Sequence, residues 1–112
     1  MKTDLSKLNM VLMDNDQFET FKSTMLENGI DMSSEDIAMT CILDDKPWVI
    51  INQLNFNELD EDMRHITIAH EGAHATGILD EEDADRWALD VLTDNQKDIL
   101  IENWNLRHGH EY

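Results

Sequence analysis

Residues 66 to 74 read ITIAHEGAH, and the last five, His70-Glu71-Gly72-Ala73-His74, form an H-E-x-x-H motif inside a helical pattern. Residues four apart on a helix share a face, so His70 and His74 can bind one Zn²⁺ while Glu71 turns towards a water on that ion. The upstream residues decide that the segment is a helix. Ile66, Ala69 and Ala73 fall on one stripe, and Met63, Thr67, His70 and His74 fall on the next. One stripe suits a core and its neighbour suits a cleft. An amphipathic helix with two surface histidines has the same spacing, so the flanking segments must supply the rest of the chemistry.

Working outward, Asn57 precedes Glu58, Asp60 and Glu61, acids that favour a helix N-terminus, and Gly77 stands where the helix should end, near Thr76. Upstream, Ala38 to Leu43 and Trp48 to Asn52 read as strands, and the turn-like Asp44-Asp45-Lys46-Pro47 between them predicts a hairpin. Asp14 or Asn15 can cap a helix over Asp16 to Glu27, where Phe18, Phe21, Met25 and Leu26 keep helical spacing and Gly29 follows. Met1 to Met13 is weakly patterned and suits a short helix or an irregular docked arm. Ser33 or Ser34 suits a single helical turn. Asp80 can cap a helix over Glu81 to Val91, and Thr93 with Gln96 forms a capping box for one over Asp94 to Leu106. The expected fold class is α+β, one domain over residues 1 to 112: a hairpin or small sheet packed on the motif helix, with an N-terminal helix and two C-terminal helices.

Twenty-five acidic against eight basic side chains give a formal charge of −17. That surface repels nucleic-acid phosphate and anionic membrane, which excludes both as expected partners and favours a metal or a basic protein or peptide. Acidity that serves solubility alone is the plainer explanation. Cys41 has no second cysteine to pair with, the first residues lack the apolar stretch of a signal peptide, and no run is long enough to span a bilayer. The expected compartment is the cytoplasm, of a cell or of an infected host.

A catalytic zinc takes three protein ligands and keeps one position open. On a helix starting at Glu81, Glu81 and Asp85 are one turn apart on the same side. Glu81 can therefore ligate the metal while Asp85 accepts a hydrogen bond from a ligand imidazole and fixes its tautomer. Asp80 is the alternative third ligand, because His70 to Asp80 also reads H-E-x-x-H-x-x-G-x-x-D. The C-terminus, Arg107-His108-Gly109-His110-Glu111-Tyr112, offers His108, His110 and Tyr112 for oxyanion or substrate contacts and Arg107 for a substrate carboxylate. Terminal residues without a role would look the same.

The order of strand, polar link, helix ending in ITIAHEGAH and a second helix bearing E-x-x-A-D at Glu81 to Asp85 resembles the gluzincin metallopeptidases. It is most similar to compact ImmA/IrrE-type proteins of phages and mobile elements, and the E-x-x-A-D portion looks like the HtpX-type peptidases. The resemblance covers roughly residues 37 to 92. It implies a zincin-like domain with Zn²⁺ as cofactor, His70, His74 and Glu81 as ligands and Glu71 as general base. It further implies an edge strand, placed at Trp48 to Asn52, that pairs with an extended peptide, and as substrate a DNA-binding regulator. With only six residues between His74 and Glu81, the turn from Ala75 to Asp80 must reverse sharply. The pattern ending in Asp80 resembles the metzincins instead, although no methionine follows Met63 to form the turn those enzymes carry below the metal. A function of another class also suits the charge: a non-enzymatic acidic binder, such as a phage-type inhibitor mimicking nucleic acid, with the metal structural or absent.

Overall fold

The computed structural model describes residues 9 to 112, so Leu5 and Leu8 of the N-terminal arm lie outside the described residues. The elements run β1 (Asn9–Met13), α1 (Asn15–Glu27), β2 (Ala38–Leu43), β3 (Lys46–Asn52), α2 (Gln53–Asn57), α3 (Glu61–Ala75), α4 (Glu81–Leu89), α5 (Asp94–Glu102) and α6 (Trp104–His108). The α+β expectation holds, as do the hairpin, the helix after Asp14, the motif helix and the helices capped by Asp80 and Thr93.

The β2–β3 hairpin turns through Asp44 and Asp45 alone, with φ of 52° and 63°, while Lys46 and Pro47 already belong to β3. Positive φ at both central residues matches a type I′ turn, whose twist suits a two-residue hairpin and which aspartate tolerates better than most side chains. β1 is a strand and not a helix or irregular arm, and it pairs parallel with β3, Val11 opposite Ile50. The sheet order is therefore β1-β3-β2.

This order corrects the edge-strand expectation. Trp48 to Asn52 is the central strand, and its run Val49-Ile50-Ile51 is buried on both faces, as an unbroken apolar run demands. Ile50 meets α1 through Phe18 and Met25, beside Met39 and Cys41 of β2. Val49 and Ile51 face the other way, with Ala38, towards Ile68 of α3 and Phe56 of α2. The opposite side of α3, through Ile66 and Ala69, packs on Ala88, Leu100 and Trp104 of the C-terminal helices and on Leu92 in the link between α4 and α5. The motif helix is thus a middle layer, fixed from the sheet and from α4 to α6.

Helix boundaries shift for local reasons. Asn52 accepts from the Asn55 amide and starts the short α2, and Asp60 accepts from the Met63 amide at 2.8 Å, so α3 starts at Glu61 and not at Asn57. Asp14 and Gln17 form a capping box on α1. The predicted last helix breaks at Asn103 into α5 and α6. Residues 33 and 34 form a turn and no helix.

Candidate metal centre

The end of α3 explains how six residues suffice between His74 and Glu81. Gly77 has φ +105°, its amide bonds the His74 carbonyl at 3.0 Å, and the Ile78 amide bonds the Ala73 carbonyl at 3.2 Å. This is the Schellman arrangement, which reverses the chain within three residues of the helix end. It also sets the Ile78 carbonyl 2.6 Å from His74 Nδ1. Asp80 then caps α4 by accepting from the Asp83 amide at 2.9 Å, which directs its carboxylate along α4.

Two ring nitrogens and the two oxygens of one carboxylate converge as a result. His70 Nε2 and His74 Nε2 are 3.1 Å apart, and the Glu81 carboxylate lies 2.7 Å from the first and 3.3 Å from the second. The outer ring nitrogens fix the tautomers. His74 Nδ1 faces a carbonyl, which only accepts, so it carries the proton. His70 Nδ1 faces Asp85 Oδ1 at 2.7 Å, and that carboxylate is held ionised, so it carries one too. In the neutral imidazoles both Nε2 atoms then present lone pairs to each other and to Glu81. A proton would satisfy one of these contacts and leave the other acceptors opposed, whereas one divalent cation satisfies all three.

Two of the separations, 3.1 and 3.3 Å, also fit. Ligand bonds of about 2.0–2.1 Å in a tetrahedron place donor atoms roughly 3.3 Å apart. Two imidazoles and a carboxylate are a zinc donor set, and the exposed side of Glu81 leaves the fourth direction open to the groove. His70, Glu71 and His74 also offer ligand atoms within 4.8 Å of one another. Glu81 makes the tighter trio, because a carboxylate oxygen of Glu71 accepts from Thr40 Oγ1 at 3.0 Å.

Glu81→Ala is expected to lower zinc affinity more than about 100-fold. Asp80→Ala should leave zinc affinity unchanged and cost about 1 kcal/mol as a lost helix cap. Competition with a chromogenic chelator and thermal melting read the two quantities separately, and zinc loss in the Asp80 variant would reassign the ligand.

Asp85 is fully buried in α4 and accepts four hydrogen bonds: from His70 Nδ1, from Arg107 Nε at 2.7 Å and Nη2 at 2.8 Å, and from His108 Nε2 at 2.6 Å. Burial opposes its charge, but the hydrogen bonds from His70 and Arg107 outweigh burial and hold its carboxyl well below the usual range. Burial likewise opposes a cationic His70, and the Asp85 hydrogen bond with the neighbouring carboxylates reverses that and raises it. Glu71 is 5 % exposed, and burial pushes its carboxyl up against the opposing pull of His70 and His74. A raised carboxyl is a stronger proton acceptor in its ionised form, which is the form a general base uses.

The C-terminal residues dock on α4. His108 bonds Asp85 and packs, tilted, against Trp104 with ring centroids 4.6 Å apart, so it braces the ligand support rather than facing the groove. His110 bonds Glu82, and Tyr112 meets Trp104 edge-on, with the Arg86 guanidinium over both rings. His110 and Tyr112 are thus spent on packing the chain end and do not line the groove. Arg107 does line it, while clamped to Asp85. Cys41 is buried against α1, and burial, with the Glu71 charge, pushes its thiol up, which leaves it inert.

Thr40 is the contact the sequence did not indicate. Its hydroxyl lies 3.1 Å from the Glu71 carbonyl and 3.0 Å from the Glu71 carboxylate, 31 positions away, and so ties β2 to α3. A groove of about 620 Å³ runs between β2 and α3, lined by Thr40 and Ile42 on one side and by Thr67, His70, Glu71, His74, Leu79 and Glu81 on the other. No helix among the described residues is long and apolar enough to cross a membrane. Comparison of the chain with known protein families, with curated proteins and with solved structures finds no match.

Proposed function

We propose that this protein is a zinc-dependent metallopeptidase that hydrolyses a peptide bond in an extended segment lying along β2. The observation that carries this reading is the convergence of the His70, His74 and Glu81 acceptors beside the buried carboxylate of Glu71, at the floor of an open groove. When bound there, Zn²⁺ supplies Lewis acidity, which polarises a carbonyl and acidifies water. Glu71 takes the proton of the attacking water and returns it to the leaving amine. Thr40 holds the Glu71 carboxylate in place by donating its hydroxyl proton. Asp85 and the Ile78 carbonyl fix the imidazoles so that Nε2 of each faces inward.

The outer edge of β2 supports the peptide part of the proposal. In a two-residue hairpin the flanking pair Leu43 and Lys46 exchanges backbone hydrogen bonds, and so do Cys41 with Trp48 and Met39 with Ile50. The N–H and C=O groups of Ala38, Thr40 and Ile42 therefore point away from β3, along the groove. An extended peptide adds a strand there through main-chain bonds. The role first given to Trp48–Asn52 belongs to β2, because β3 is paired on both sides.

The test is metal content with hydrolysis. Purified protein should hold one zinc per chain and cleave an unfolded protein substrate. 1,10-Phenanthroline should stop cleavage, and added Zn²⁺ should restore it. A zinc-loaded protein that cleaves nothing, or metal-free protein that captures a basic partner unaided, would instead favour the acidic-binder function.

A further inference from the structure

We infer that Glu35 selects a positively charged side chain, lysine or arginine, within about three residues of the bond to be cut. The inference rests on the peptidase reading and names the substrate class of the same groove.

Glu35 belongs to the link before β2 and lines the groove. Its carboxylate has no hydrogen-bond or ion-pair partner among the described residues, and its own backbone carbonyl is what Lys22 Nζ bonds, at 2.8 Å. The neighbouring Asp36 is different, since Lys22 Nζ stands 4.0 Å from its carboxylate and 3.1 Å from that of Glu19. Lys22, 7 % exposed, thus pins the link and offsets Asp36 without reaching the Glu35 carboxylate. Glu35 is left as a half-buried carboxylate without a contact partner among the described residues, its charge offset only in part, and through space, by His70 and His74. Burial and then the charge of Glu81 raise its carboxyl, so its ionised form is costly in the free protein. An ammonium or guanidinium group entering the groove would offset that cost.

The strand register gives the distance. Thr40 sits beside Glu71, so the scissile bond lies opposite Thr40. Ala38 is two residues back, about 7 Å along the strand, and Glu35 lies beyond it. A side chain one to three residues from the scissile bond, on the Ala38 side, comes within reach of Glu35. At the other end of β2, Ile42 is 62 % exposed and Leu79 is 87 % exposed. Those walls are apolar and carry no charge preference.

A library of internally quenched peptides scanned at each position around the cut tests the inference. Zinc-loaded protein should favour Lys or Arg at one position on one side of the cut. Glu35→Lys should reduce cleavage of those peptides about tenfold and favour Asp or Glu there, with zinc content unchanged. Glu102→Lys on exposed α5 changes net charge equally and should alter nothing. Binding of the same peptides, unquenched and immobilised, to the zinc-loaded Glu71→Gln variant gives a second readout independent of cleavage. A basic preference in binding that Glu35→Lys reverses, with no cleavage by the parent protein, would keep the role of Glu35 and remove the peptidase. Cleavage or binding without a basic preference, binding that is absent altogether, or a preference that Glu35→Lys leaves intact, overturns the inference.

Discussion

Glu71→Gln is expected to remove about 10²–10⁴ of the hydrolytic rate while zinc content stays at one per chain. Glutamine is isosteric, and its amide oxygen can keep the Thr40 hydroxyl contact seen at 3.0 Å. What it cannot do is take a proton. The ligand trio is left whole, because the acceptors facing the metal belong to His70, His74 and Glu81. Stability distinguishes lost chemistry from lost structure. Burial raises the Glu71 carboxyl above its ordinary value, so its ionised form destabilises the fold at neutral pH, and this cost declines as pH falls through the raised value and is gone below the ordinary one. Removing the charge should therefore leave the melting temperature unchanged or higher. Glu71→Asp gives a second reading, since it retains the acid but withdraws the carboxylate by about 1.5 Å, enough to cost roughly 100-fold. Activity retained in Glu71→Gln would eliminate the general-base role.

The local parts of this architecture were legible in the residues. His70 and His74 share a face because any helix puts them there, and Glu81 and Asp85 follow the same rule one helix later. Caps were equally readable: Asp14, Asp80 and Thr93 accept from the amides that short polar side chains reach at a helix start. Gly77 marked the reversal that brings Glu81 back to the imidazoles, and its positive φ is the reason glycine stands there.

What escaped the sequence depends on contacts between distant segments. β1 pairs parallel with β3, which lies more than thirty residues away, and no turn signal announces such a partner. Once β1 takes that edge, the exposed strand beside the motif helix is β2. The unbroken apolar run Val49-Ile50-Ile51 is the trace of this in the sequence, since only a strand covered on both faces buries every residue. Thr40 left no trace, because a threonine in a strand is ordinary. The chain end was ambiguous in the opposite sense: RHGHEY suggested groove chemistry, and the structure spends His108 on Asp85 and His110 on Glu82.

Asp85→Ala is expected to be the most damaging single substitution for folding. Asp85 is 0 % exposed, and its removal strips the hydrogen-bond partner from His70 Nδ1, the Arg107 guanidinium and His108 Nε2 at once. Removing one partner of a buried pair costs about 3–5 kcal/mol, because the remaining charge is left without compensation. Arg107 is 32 % exposed and recovers some hydration, which places the expected loss near the lower end, about 3 kcal/mol. For a chain of this size that is a fall in melting temperature of roughly 10–20 °C. Zinc affinity should fall about 10–100-fold in the folded fraction, since the His70 ring loses the contact that fixes its tautomer. Asp85→Asn separates the two effects. Its amide oxygen can still accept from His70, while its NH₂ group opposes the Arg107 and His108 donors, so zinc affinity should suffer less than stability. Because Asp85 is held below the usual carboxylate range, its contribution to stability is present above pH about 4 and is lost as pH falls below that. Denaturant melts of both variants with and without zinc measure these quantities. An Asp85→Ala protein that loses less than about 1 kcal/mol and binds zinc as tightly as the parent would show that α4 and the chain end hold His70 by packing alone.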